Sequence, residues 1–265
     1  MGTSIQGTFQ LEVPSYPRGI LYGDQVQPYQ TEYEQSATQQ YTLGTLLEYA
    51  DGRKFRYARN GGVALAKAYM TCGASVVANV QAETQTTSGA AVAIGDQEIV
   101  IDVTNASGIT DDLYAEGSLT VDSSTAAGDI YKIVACKLLT TTTARLLLEQ
   151  PIRTAFSATS VVSLHRNRWR DVVVYPTTAT QPATGIPLIA VTINYYCWLQ
   201  TGGDAPCYVD TGDTIVIGEP VGKPGTPAVA GTCGAVGSGP TDELWGTVRY
   251  AAAADTVALI TLALD

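Results

Sequence analysis

The stretch Tyr195–Asp265 constrains the fold more than any other part of the chain. It opens with Tyr195-Tyr196-Cys197-Trp198-Leu199-Gln200-Thr201-Gly202-Gly203 and closes with Asp255-Thr256-Val257-Ala258-Leu259-Ile260-Thr261-Leu262-Ala263-Leu264-Asp265. Between these ends, short apolar runs are cut again and again by Gly, Pro and Asp. Apolar runs of about four to eight residues, rich in Val, Ile, Thr and Tyr and bounded by turn residues, read as strands and are too short for helices. The expected strands here are Leu188–Ile193, Tyr195–Gln200, Cys207–Val209, Thr214–Ile217, Leu244–Tyr250 and Thr256–Leu264, with a long Gly/Pro-rich loop over Val221–Pro240.

The middle of the chain repeats the style. Strands are expected at Glu98–Val103, Ser118–Val121, Ile130–Leu139, Ala144–Leu148, Val161–Leu164 and Arg170–Tyr175, followed by a Thr/Pro/Ala-rich loop over Thr177–Pro187. Asp51-Gly52 is a strong hairpin signal. After it, Phe55 and Tyr57 alternate with Lys54 and Arg56, placing apolar and basic side chains on opposite faces. Residues 63–70 are Ala-rich and suit two helical turns. Only 15% of residues are charged, and the chain has 26 Gly and 12 Pro. Thr and Val fit a pleated surface better than a helix. The fold class is therefore all-β and mostly antiparallel, with one or two barrel or sandwich domains, an extended N-terminal arm and little helix. The expected divisions are an arm at 1–40, a hairpin with a short helical turn at 41–75 packing on the C-terminal domain, a central β domain at 76–185 and a C-terminal β domain at 186–265.

The first forty residues stand apart, with eight Gln, scattered turn signals and Tyr16, Tyr22, Tyr29 and Tyr33. Such a segment cannot bury enough apolar surface alone to offset its ordering entropy. It reads as an arm lying on a neighbouring subunit, or else wrapped over its own domain.

Little in the sequence points to chemistry. There is one histidine, His165, and no GxSxG, HExxH, GxxxxGK[ST] or GxGxxG pattern occurs. The five cysteines at 72, 136, 197, 207 and 233 include no CxxC pair. They read as buried thiols behaving as small hydrophobes. Cys197 and Cys207 could also face each other across a hairpin, and a zinc set of Cys197, Cys207, Cys233 and His165 matches no known spacing. Asp204, Asp210 and Asp213 lie in Gly-rich stretches and suit turn chemistry, with oxygen-ligand calcium binding the alternative. The expectation is no enzyme activity, no catalytic residue, no metal and no cofactor.

A net charge of −10 argues against general nucleic-acid binding. No basic-then-apolar leader opens the chain and no apolar run reaches membrane-spanning length, so synthesis in a cytoplasm and no membrane partner are expected. Seven of the fifteen positive charges fall in two clusters, Arg53, Lys54, Arg56 and Arg59, and Arg166, Arg168 and Arg170. On a strand, Arg166, Arg168 and Arg170 would line one face. That face could meet an acidic partner or stand solvated as a charged edge. Fifteen Tyr against three Phe also suit a protein of many half-wet contacts. The candidate interface residues are Tyr16, Tyr22, Tyr29, Tyr33, Arg53, Lys54, Arg56, Arg166, Arg168 and Arg170.

Four stretches, in this order, carry a resemblance. They are Gly44–Arg59 around Asp51-Gly52-Arg53-Lys54-Phe55-Arg56-Tyr57-Ala58; Gly128-Asp129-Ile130-Tyr131-Lys132-Ile133 with Leu146-Leu147-Leu148-Glu149-Gln150-Pro151-Ile152; Tyr196-Cys197-Trp198-Leu199-Gln200-Thr201-Gly202-Gly203-Asp204-Ala205; and the closing strand after Gly246. Together they resemble the small β-rich virion proteins of tailed bacteriophages that coat or decorate capsids. The resemblance implies a capsid decoration (cement) protein on the exterior of the virion, bound to the major capsid protein and to sister copies as a homotrimer. A tail, fibre or receptor-binding component is the alternative. No catalytic residue comes with it.

Overall fold

A computed structural model describes residues 20–22, 29–75, 85–86, 91–102, 109–140, 143–224, 229–236 and 243–265. Among them there is no helix, so none is long and apolar enough to cross a membrane. The strands, in chain order, are β1 (Ile20–Tyr22), β2 (Leu46–Glu48), β3 (Lys54–Arg59), β4 (Thr71–Cys72), β5 (Gln85–Thr86), β6 (Glu98–Asp102), β7 (Ser118–Val121), β8 (Ile130–Leu138) and β9 (Thr143–Leu148). They continue with β10 (Val161–His165), β11 (Val173–Val174), β12 (Ala183–Pro187), β13 (Tyr196–Tyr208), β14 (Pro220–Gly222), β15 (Gly234–Ala235), β16 (Leu244–Tyr250) and β17 (Val257–Ala263). The protein is all-β and, apart from the short parallel pair β1–β2, its strands pair antiparallel.

The chain forms two compact units. Unit 1 is continuous over Val76–Asn167, and unit 2 joins Tyr16–Ser75 to Arg168–Asp265. The central domain therefore ends at Asn167, not at 185. The reason lies in where the backbone after Arg168 finds its partners. The Arg59 N–H donates to the Trp169 carbonyl, Val172 N–H to the Arg59 carbonyl and Tyr175 N–H to the Met70 carbonyl, each at 2.9 Å. Segment 168–185 thus belongs to the strands before the insertion.

Unit 1 is a six-stranded sheet in the order β5-β10-β7-β8-β9-β6. Its terminal strands β5 and β6 return to within 8 Å of each other, so the sheet curls around its core. Alternation does the sorting. β7 buries Leu119 and Val121 and turns Ser118 and Thr120 outward, and β6 buries Ile99 and Ile101. These meet Tyr131, Ile133, Leu146, Leu148, Val162 and Leu164 in one apolar cluster. Burial of each such side chain is worth roughly 1.5–3 kcal/mol.

Unit 2 is built around β13. The sheet runs β1-β2-β3-β13-β17-β16-β14-β15, with β12 also on β13 and β4 joining β12 to β11. The first half of β13 pairs with β3 and the second half with β17. Cys197 through Gly202 are buried on both faces. Trp198 enters a cluster with Tyr41, Leu47, Phe55 and Tyr57, while Cys197 and Leu199 enter another with Ala58, Leu65, Val172 and Val191.

Several sequence expectations fail in unit 2, each for a tertiary reason. Tyr195–Gln200 and Cys207–Val209 are not separate strands joined by a turn at Gly202-Gly203, because β13 runs straight through. The glycines serve a close approach. Gly203 has φ +74, and a Cβ there would stand 2.8 Å from the Gly52 carbonyl oxygen and 2.9 Å from Arg53 Cα, where the β2–β3 hairpin tip presses in. Residues 63–70 form no helix. Their backbone bonds outward instead, from Leu65 N–H to the Val191 carbonyl at 2.9 Å and from Met70 N–H to the Gly231 carbonyl at 2.8 Å, and Ala68 takes φ 66. Within the expected loop Thr177–Pro187, residues 183–187 are the fully buried strand β12. Leu188–Ile193 and Thr214–Ile217 are not strands, and the expected loop Val221–Pro240 carries β14 residues and β15.

The arm expectation is also revised. Residues 1–19 and 23–28 lie outside the described residues, but 29–40 wrap over unit 2 itself. Gln30, only 3% exposed, is the clasp. Its Nε2 donates to the Tyr196 carbonyl at 2.9 Å, its Oε1 accepts from the Tyr57 hydroxyl at 2.8 Å, and its carbonyl accepts from Trp198 Nε1 at 2.8 Å. Ser36 and Tyr196 exchange backbone hydrogen bonds of 3.0 and 2.8 Å.

Candidate interaction surface

The first basic cluster lies on β3, whose alternation buries Phe55 and Tyr57 and leaves Lys54 and Arg56 half-buried. Each cation meets an acid of its own chain. Arg53 Nε stands 2.6 Å from Asp51 and its Nη1 3.4 Å from Glu32, with the guanidinium 4.7 Å above the Tyr49 ring. Lys54 is 3.9 Å from Glu48. Arg56 forks onto Asp265 at 2.8 and 3.2 Å and donates to the Gly44 carbonyl at 2.9 Å. Arg59 pairs with Asp171 and donates to Asn194. Burial pushes the Asp265 carboxyl up, but the hydrogen bonds from Arg56 and Thr201 outweigh it and hold the carboxyl below its ordinary value. Pairs of this kind, still in contact with solvent, contribute on the order of 1 kcal/mol or less each. The β3 stripe serves to tie the C-terminal residue and the hairpin turn to the sheet.

The second cluster does not form a stripe. β10 ends at His165, and 166–171 follow without strand structure. Arg166 belongs to unit 1, and Arg168 and Arg170 to unit 2. Arg168 donates to the Ala183 carbonyl, with its guanidinium 5.1 Å from the Trp169 ring centre. The break comes where the chain passes between units, and Asp171 takes φ 57 there. Of the tyrosines, Tyr16 lies outside the described residues and Tyr22 is described only as backbone in β1. Tyr29 and Tyr33 are exposed, at 85% and 60%.

The sequence reading did not single out the exposed aliphatic residues. Val216 and Ile217 stand in water on the turn whose Gly218 N–H donates to the Val248 carbonyl at 2.8 Å, two residues from exposed Tyr250 on β16. Ile94 and Ile130 are exposed on unit 1. Alternation could have flagged Ile130, whose β8 neighbour Tyr131 faces the core. Nothing local could have flagged the Val216 turn, since Thr214–Ile217 reads as a strand.

The remaining polar candidates are held by protein partners. His165 Nε2 lies 2.9 Å from Thr120 Oγ1, which in turn approaches Asp122 at 3.2 Å. Ser163 also donates to Asp122. This is a polar ladder across β7 and β10, in which the carboxylate faces hydroxyls, whereas a triad would place it on the imidazole. Asp204 accepts from Thr261 at 2.7 Å and pairs with Arg249. Buried Asp210 accepts from Thr232 Oγ1 at 2.6 Å and from Val229 N–H at 2.9 Å. Asp213 accepts from the Thr214 N–H at 3.1 Å. Among the described residues, no three His, Cys, Asp or Glu side chains are grouped to hold a metal ion.

All five cysteines are buried thiols, none in a disulfide. Cys197 and Cys207 sit ten residues apart on one strand, which at about 3.3 Å per residue separates them far beyond disulfide reach. Cys207 instead faces Cys233. The hydrogen bond between these two thiols and their burial push Cys207 well above its ordinary range. Burial raises Cys197 to about 12 and Cys72 to about 11. All five thiols are buried from the reagent, so native protein at pH 8 is expected to resist iodoacetamide at all five positions and to take five labels in denaturant. Intact-mass measurement checks this, and fast labelling of any native thiol would refute it.

No known protein-family model and no curated protein sequence matches this chain.

Proposed function

We propose that this chain is a structural protein of a bacteriophage virion, a decoration protein seated on the outer surface of the major capsid shell. The observation that carries the reading is the display of large apolar side chains in water on two all-β units. Tyr29, Tyr33, Val216, Ile217 and Tyr250 on unit 2, and Ile94 and Ile130 on unit 1, are exposed where polar residues would be less costly to hydrate. Scattered single residues of this kind are ordinary, but the Val216-Ile217 turn beside β16 concentrates them. Exposed apolar groups rimmed by polar residues suit protein–protein contact. The ordered resemblance of four sequence stretches to phage virion proteins points to the same class.

On this reading the mechanism is mechanical. Sister copies pack as a homotrimer, and each contact of standard size buries on the order of 1,600 Å². Repetition over a shell makes many modest contacts hold together by multivalency. The major capsid protein is the partner, and the exterior of the virion is the location. Quantitative mass spectrometry of purified virions is expected to find the chain in hundreds of copies per particle. Its absence from particles would sink the proposal, and a copy number of a few to tens would assign it to a tail or fibre instead.

A further inference from the structure

Unit 2 contains a cavity of about 450 Å³, within the range of about 300–1,000 Å³ in which small ligands sit. Part of its lining is the outer face of β13. Ala205, Cys207 and Val209 point into the core, and the alternate residues Asp204 and Tyr208 face the cavity with Gln200. Tyr33, Arg53 and Lys67 also line it.

The groups in this wall differ in what they have left to offer. Gln200 is held by its own amide, since Nε2 donates to the Gly202 carbonyl at 3.0 Å and to the Asp204 carbonyl at 2.8 Å. Its Oε1 remains as an acceptor of fixed direction. Tyr208 is braced by Tyr69, with ring centres 4.8 Å apart and planes 23° from parallel. Tyr33 offers an exposed ring. Arg53 is balanced by Asp51 and Glu32, and Asp204 by Arg249. Lys67 is the one charge in the wall without an acid partner among the described residues, and it is exposed and therefore screened.

This balance selects among ligands. A phosphate would find a single exposed ammonium, whereas anion sites use several convergent donors. A purely apolar ligand would cover Gln200 Oε1 without giving it a donor, and would add nothing to Asp204, whose two oxygens already meet Thr261 and Arg249 and have lone pairs left for a hydroxyl. A sugar ring has an apolar C–H face for the tyrosines and a hydroxyl edge for an amide, a carboxylate and an ammonium. We infer that the cavity binds a neutral saccharide of one or two rings. The site shares Tyr33 with the exposed apolar residues named above, but every residue invoked lies within unit 2 of a single chain, so sugar binding by the isolated chain and copy number in virions are tested separately.

The test is saturation-transfer NMR and calorimetry on the full chain, with maltose, cellobiose and di-N-acetylchitobiose as neutral probes. Glucuronic acid and inorganic phosphate serve as charged probes. At least one neutral disaccharide is expected to bind with a Kd on the order of 1 mM, unchanged between low and high salt. Tyr33→Ala and Tyr208→Ala should each weaken it by about tenfold or more. Tryptophan emission reports whether Tyr208→Ala still folds. If it does not, Tyr33→Ala, at an exposed position, decides alone. Silence of all three neutral probes, binding of the charged probes only, or affinity unmoved by Tyr33→Ala would each overturn the inference.

Discussion

Replacing Trp198 by Ala is expected to destabilise unit 2 by about 3–5 kcal/mol, the range for emptying a buried aromatic site. Trp198 is 1% exposed. Its ring stands 5.2 Å from Tyr41 and 5.0 Å from Tyr57, both in edge-on or tilted contact. The same substitution removes the indole N–H that donates to the Gln30 carbonyl. Gln30 sits at the head of segment 29–40, so the loss should spread there. A urea midpoint lower by more than about 1 M is the first readout. The second is cleavage after Glu32 or Glu34 by a glutamate-specific protease, absent in the parent and present in the variant. Trp198→Phe should retain most of the packing and lose chiefly the hydrogen bond, worth about 0.5–1.5 kcal/mol. Equal stability of the parent and Trp198→Ala would refute the account of the clasp.

Removing Val76–Asn167 and joining Ser75 to Arg168 through a short Gly/Ser linker should leave unit 2 folded. Unit 2 has its own apolar clusters, and unit 1 has a separate one. The two ends to be joined already lie side by side. Cys72 pairs with Val173 in register, and a side chain at Gly73 would meet the Arg168 carbonyl at 3.3 Å. Tryptophan makes the readout clean, because Trp169, Trp198 and Trp245 all belong to unit 2. The shortened chain is expected to keep the buried-tryptophan emission and one cooperative urea transition. In the full chain Ile133→Ala, at a fully buried unit 1 position, should lower a circular-dichroism transition by about 2–5 kcal/mol without moving the tryptophan-detected one. A shortened chain with fully exposed tryptophan and no transition would refute the independence of unit 2.

Unit 1 was nearly all legible in the sequence. Its strands alternate, one face meets one core, and loop signals such as Ala127-Gly128-Asp129 separate them, so β7 falls where the sequence places it and β8 within a residue. Unit 2 was harder because its central strand is covered on both faces. A strand such as Cys197–Gly202 carries no alternation to read. Gly202-Gly203 looked like a turn because glycine serves two needs, a bend and a close approach, and local sequence does not distinguish them. Ala68 looked helical because its partners lie more than a hundred residues away. The alternation of Arg166, Arg168 and Arg170 suggested a stripe, but the chain leaves its strand at His165 and crosses to the other unit. The basic residues of β3 were placed correctly, while their acids, Asp171 and Asp265 among them, come from distant sequence that no spacing rule connects.

The insertion of one unit into the other also sets an order of events during synthesis. The core cluster of unit 1 is drawn from Val92 to Leu164, so all of these side chains leave the ribosome before β13 does. Strand β3 can pair with β2 at once, but its other edge must wait for β13, whose ladder begins at Tyr196, opposite Arg59. At synthesis rates of about 5–20 residues per second, that delay is roughly 7–30 seconds. Throughout it, Phe55 and Tyr57 belong to a hairpin with no sheet to join. The nascent chain is thus most exposed to wrong pairing while unit 1 is being made, and a chaperone acting on this protein would find its target in residues translated well before the strand that completes them.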